Sequence, residues 1–169
     1  MRVLSLTLIF LGLMAVSCMK INNSCSFKES TVVADTAQVN YIQRYFSTNN
    51  ITNMQLHPCG AFYKINNAGT GGLNTILCSR VYFNYAVYKM GYSIAFDSHS
   101  STQGISFLLG ELIAGVQKLA PLIQPGGSIT MYIPPSLAYG SQVLKDQNGN
   151  VILPANSYLR FEMSLIAVQ

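Results

Sequence analysis

The stretch GGSITMYIPPSLAYG, residues 126–140, decides how the rest of the chain is read. Ile129, Met131 and Ile133 alternate with Thr130 and Tyr132, the period-two pattern of a strand with one apolar face. Pro134 and Pro135 end it, because proline has no N–H to give to a sheet ladder. The chain then runs through Leu137 and Ala138 to Tyr139 and Gly140. A strand that stops abruptly and sets a tyrosine directly before a glycine asks for a reason.

Upstream of the turn QPGG, the segment LIAGVQKLAPLI places Ile113, Val116, Ala120 and Ile123 at helical spacing. Gly115 and Pro121 weaken this helix, so packing rather than propensity must hold it. GISFLLG alternates, with Ile105, Phe107 and Leu109 on one face, and RVYFNYAVYKM (80–90) is rich in aromatic and β-branched residues. GAFYKI (60–65) reads as a short strand, FDSHSS as a break, and NNAGTGG as loop. Downstream, DQNGNV carries the tight-turn pair Asn148-Gly149, and YLRFEMSLIAV alternates with Leu159, Phe161, Met163 and Leu165 inward. Near the start, Asp35-Thr36 offers a cap to an amphipathic helix over residues 36–47, with Val39, Ile42, Tyr45 and Phe46 at helical spacing. There is no βαβ rhythm and no repeat. The expected class is α+β, an antiparallel sheet packed on a helix.

The chain has 169 residues, enough for one domain and a leader. Half of it is hydrophobic, and only 9% is charged, against ~25% in a typical soluble protein. The formal charge of +4 is spread without a run, which excludes the concentrated basic footprint of a nucleic-acid binder. Residues 3–16 form an uncharged apolar run behind Arg2. It falls short of the ~20 residues needed to span a bilayer and suits a secretory leader. Ala15-Val16-Ser17-Cys18 resembles the site at which bacterial lipoproteins are cut and their cysteine lipidated, although the position of Ala15 is usually Leu. Residues 1–17 are therefore expected to be a lipoprotein signal, with Cys18 the lipid carrier and a membrane a partner. Three cysteines remain, Cys25, Cys59 and Cys78, which allow three single bridges with one thiol left over. His57 and His99 add too little to these thiols, at the wrong spacing, for a structural zinc site. No metal and no cofactor are expected.

Read in order, FDS, ISFLLG, LIAGVQKLAPLI, GGSITMYIPPSLAYG and ILPANSYLRFEMSLIAV resemble the FKBP-type peptidyl-prolyl isomerases. The resemblance runs from about Gly60 to the last residue. It implies a twisted antiparallel sheet wrapped around a short helix, with a substrate pocket between them. It divides the chain into the signal at 1–17, a tether and helical extension at 18–56, and an isomerase domain at 57–169. In that family the turn after the prolines swings a tyrosine over the pocket mouth, and the glycine lets the chain depart into a flap. Tyr139 is then aimed and Gly140 is a hinge; without the neighbouring blocks Tyr139 would read as a core tyrosine. Tyr139, Asp97 and Phe161 take the places of the family's catalytic groups. Tyr85, Phe96, Ile105, Leu112, Ile113, Val116 and Leu153 take substrate-binding places, with Ile105 where an aromatic wall residue is usual. Two departures stand out. Val116 follows Gly115 where active members offer Trp as the pocket floor, and the flap sequence after Gly140 is unlike the family's. The N-terminal layout also resembles exported FKBP-type lipoproteins of Bacteroidetes-like bacteria, which implies a Cys25–Cys78 disulfide and a free Cys59.

The resemblance implies a prolyl isomerase held on a membrane of the bacterial envelope and acting on proline-containing segments of exported proteins. The alternative is a weakly active or inactive binding module of the same fold, which Val116 favours.

Overall fold

The computed structural model describes residues 25–72 and 75–169; the expected signal at 1–17 and the expected lipid carrier Cys18 lie outside them. In chain order the elements are α1 (Thr36–Thr48), β1 (Gln55–Leu56), β2 (Phe62–Asn67), β3 (Arg80–Lys89), β4 (Asp97–His99), β5 (Ile105–Leu108), α2 (Ala114–Leu119), β6 (Ser128–Ile133), β7 (Leu144–Lys145), β8 (Val151–Leu153) and β9 (Leu159–Val168). Seven strands form one antiparallel sheet in the order β1-β2-β6-β9-β3-β4, with β5 also paired to β3. β7 and β8 make a separate hairpin.

Alternation settles which face of the sheet is dry. Val81, Phe83 and Val87 of β3, Ile129, Met131 and Ile133 of β6, and Leu159, Phe161, Met163 and Leu165 of β9 are buried on one face. α2 lies in the same core through Val116 and Leu119. The helix comes close because Gly115 has no side chain: a Cβ there would sit 2.5 Å from Ile133 Cγ2. α1 covers a second, smaller core elsewhere. Its Ile42 and Phe46 pack on Phe62 and Tyr132, and Phe46 meets Tyr132 edge-on at 4.8 Å. Tyr132 lies between inward-facing Met131 and Ile133, so α1 occupies the opposite face of the sheet.

The α+β class and the sheet around a short helix agree with expectation, and three local readings differ. FDSHSS does not simply break away: Asp97–His99 forms β4, because β3 is long enough to offer Tyr85, Ala86 and Val87 as partners. Leu109 is not the third residue of a strand; it opens a 3-10 turn, Leu109–Glu111, that leads into α2. GAFYKI is not the first strand of the sheet, since Gln55 and Leu56 form β1 and pair with Tyr63 and Phe62.

The segment before α1 is tied to the domain at several points. Cys25 and Cys78 form a disulfide with Cα atoms 5.5 Å apart. The Ala34 N–H donates to the Cys59 carbonyl at 2.8 Å, and Glu29 pairs with Lys118 of α2 at 3.4 Å. Cys59 is free and buried. Burial pushes its thiol up, and His57 Nδ1 lies 3.0 Å from its sulfur.

Candidate active site

Between the sheet and α2 lies a cavity of about 250 Å³. β3 supplies one wall. Because alternate residues share a face, Phe83, Tyr85 and Val87 all reach the cavity together. β9 places Phe161 beside them, its ring stacked on Tyr85 with centroids 5.7 Å apart. β5 contributes Phe107, whose ring centroid is 6.1 Å from that of Phe83. The turn before α2 brings Glu111, Leu112 and Ile113, and Val116 closes the bottom at 1% exposure. Gln117 holds that turn still, its side-chain amide donating to the carbonyls of Gly110 at 3.0 Å and Leu112 at 2.6 Å.

Polar groups are confined to the rim. The Tyr85 hydroxyl donates to Asp97 Oδ2 at 3.0 Å, so β4 carries the carboxylate that orients this tyrosine. Burial, that hydrogen bond and the negative charge of Asp97 push the Tyr85 hydroxyl up to about 12. Burial and the same charge also raise Tyr139. Both rings therefore stay neutral and able to donate throughout the physiological range.

Tyr139 reaches the cavity from a tightly bonded turn. The Ala138 and Gly140 N–H groups both donate to the Pro135 carbonyl, at 3.0 and 2.9 Å. Gly140 has φ +57°, a left-handed conformation that costs a non-glycine residue ~1–2 kcal/mol. Its carbonyl accepts from Asn156 N–H at 2.7 Å, which closes the base of the flap.

Seven residues named from the sequence meet at this cavity: Tyr85, Asp97, Leu112, Ile113, Val116, Tyr139 and Phe161. Three do not line it. Phe96 and Ile105 pack against the surrounding core, and Leu153, the last residue of β8, is buried in it. Ile105 pairs with Phe83, and Phe107, two residues further along β5, is the aromatic residue of that strand that lines the cavity. Phe83, Val87, Phe107 and Glu111 were missed. The first three carried a signal, since each lies two residues along a strand from a named position and so on the same face.

A larger depression of about 390 Å³ lies among Asn66, Asn84, His99, Thr130, Glu162 and Ser164. Asn66 donates to the Thr130 hydroxyl across it at 3.0 Å, while Asn84 and His99 bond Ser101. It lacks the run of aromatic walls that a proline ring would pack against.

The profile of the FKBP-type peptidyl-prolyl cis-trans isomerases matches residues 78–166, over half of the chain. The chain belongs to this family. It is similar to the peptidyl-prolyl cis-trans isomerase Mip of Coxiella burnetii, with 31% identity over 110 residues, 65% of this chain and 45% of that one. The crystal structure of FkpA from Escherichia coli superposes with a TM-score of 0.63 at 26% identity, covering 79% of this chain and 60% of that one. A peptidyl-prolyl cis-trans isomerase from Pseudomonas syringae shares the fold, with a TM-score of 0.61 at 22% identity over 83% of this chain and 99% of that one. The chain thus spans about half the length of the curated FKBP-type relative from Coxiella.

Proposed function

We propose that this FKBP-type chain is a peptidyl-prolyl isomerase that assists the folding of exported proteins from a lipid anchor at Cys18. The observation that supports catalysis best is the cavity itself: aromatic walls from Phe83, Tyr85, Phe107 and Phe161, a buried aliphatic floor at Val116, and two tyrosine hydroxyls at the rim. The reaction needs no nucleophile. The barrier to rotating a peptide bond, ~18–20 kcal/mol, arises from the partial double bond between carbon and nitrogen. A proline ring held in this cavity brings its preceding carbonyl out of water. Loss of solvation disfavours the charge-separated resonance form, and the bond twists more easily. A thousandfold acceleration needs the barrier lowered by only ~4 kcal/mol. The Tyr139 hydroxyl and the Ile113 backbone orient the peptide, while Asp97 fixes Tyr85 rather than moving a proton.

Val116 supports a second reading, a module of the same fold that binds proline-containing segments with little turnover. An isomerisation assay on a proline tetrapeptide, run beside a binding titration of the same peptide, separates the two. Acceleration over the uncatalysed rate establishes the enzyme. Binding without acceleration establishes the module, and neither result refutes both. The anchor is tested separately: Cys18→Ala should release the protein from the membrane fraction or leave the leader uncut, and normal processing with retention would reject it.

A further inference from the structure

We propose that Gln38 of α1 is a positioning residue for Tyr139, acting through Ser136; this rests on the isomerase reading above. The helix N-terminus explains why Gln38 is available. Asp35 is the cap and accepts the Gln38 backbone N–H at 2.8 Å. A glutamine three residues after a cap usually folds back to the cap's own N–H. Here its carboxamide oxygen turns outward to another part of the chain. It accepts the Ser136 hydroxyl at 2.8 Å and the Ser136 backbone N–H at 3.3 Å, across 98 residues of sequence. The amide nitrogen of the same side chain lies 3.5 Å from Asp35 Oδ2, which sets the oxygen toward Ser136.

Ser136 occupies the middle of the 3-10 turn Pro135–Leu137, whose next residues are Ala138 and Tyr139. The turn closes on the Pro135 carbonyl, so a displacement at Ser136 passes to Tyr139 through two short backbone bonds. α1 also meets the other stem of the flap. Tyr41 stacks on Tyr158 with centroids 4.4 Å apart, two residues after Asn156 bonds Gly140. One helix therefore contacts the chain on both sides of the loop that begins at Tyr139. A helix on the far side of the sheet has no wall in the cavity, and this contact gives it a route to the site.

The test uses the full chain and two readouts, the ring signals of Tyr139 by NMR and the kinetics of tetrapeptide isomerisation. Gln38→Met keeps the length but removes the acceptor, and Gln38→Glu keeps an acceptor. Gln43→Met, on the exposed face of the same helix, is the control. Gln38→Met is expected to shift the Tyr139 signals and lower kcat/KM by about three- to tenfold, the size of one or two hydrogen bonds. The loss should fall mainly on kcat, be largely restored in Gln38→Glu, and vanish when Tyr139 is already Phe. Ser136→Ala, which removes one of the two donors, should give an intermediate loss. The proposal is overturned if Gln38→Met leaves the Tyr139 signals and kcat/KM unchanged, or if Gln38→Glu loses as much as Gln38→Met. Should the wild-type chain prove inactive, the isomerase reading fails, and the Tyr139 signals alone decide the coupling.

Discussion

Val116 is 1% exposed and ends in the cavity, so a larger side chain at that position has two directions in which to grow. Toward the cavity it would fill the floor and displace water. Toward Leu119 and Ile133 it would overpack the core at a cost of ~1–3 kcal/mol. Val116→Trp is expected to take the first course and raise kcat/KM by about tenfold, a change in barrier of ~1.4 kcal/mol. Melting temperature recorded beside the kinetics identifies the second course. Phe161→Ala should lower activity and also stability, by roughly 3–5 kcal/mol, since its ring is part of both wall and core. Tyr85 makes a prediction about pH. Its hydroxyl is raised to about 12 in the folded chain, so the folded state favours the neutral ring. That contribution is complete below pH ~10, the ordinary tyrosine value, and is lost as pH rises through about 12. Thermal melts across that window should show declining stability, with a shallower decline in Tyr85→Phe. An identical slope in the variant would remove Tyr85 as a source.

At the scale of elements, legibility followed the strength of the periodic signal. β6, β9 and β3 announce themselves by alternation, and the two prolines after β6 fix where it ends. α2 was legible in spite of Gly115 because its apolar spacing survives. β4 was not, since Asp, Ser and His have little strand preference; it exists because β3 extends past β5 and needs a neighbour. Ile105 and Phe107 share a face of β5, so alternation alone does not distinguish which of the two lines the cavity. Gly115 supplies the test at this scale. Gly115→Ala puts a methyl group against Ile133, and the helix must move away from the sheet. The expected cost is ~1–3 kcal/mol despite alanine's better helix propensity. A rise in melting temperature would show that helix and sheet are less tightly apposed than described.

At the scale of the molecule, the Cys25–Cys78 bridge joins positions 53 residues apart, and α1 lies within that span. Closing such a loop contributes roughly 2–4 kcal/mol through the unfolded chain. Changing both cysteines to serine should cost about that much in chemical denaturation. Peptide mapping without reductant should find Cys59 unpaired, and a bridge to Cys59 would contradict the pairing. The placement of α1 was the part least visible in advance. Its amphipathic spacing promised one buried face but could not say which surface it would cover. That surface is the back of the sheet at Phe62 and Tyr132, which lie in register on β2 and β6.

The strand order carries a consequence for biogenesis. β9 lies between β6 and β3, in the middle of the sheet, yet among the described residues it follows every other strand. As the polypeptide leaves the ribosome, its hydrophobic strands wait for a centre that has not yet been made. Before β9 is added, β6 and β3 have no strand between them to pair with, so the two halves of the sheet cannot be joined. A chain ending at residue 158 should accordingly remain protease-sensitive and show no cooperative unfolding. Cooperative melting of that truncated form would mean that a stable nucleus forms without β9.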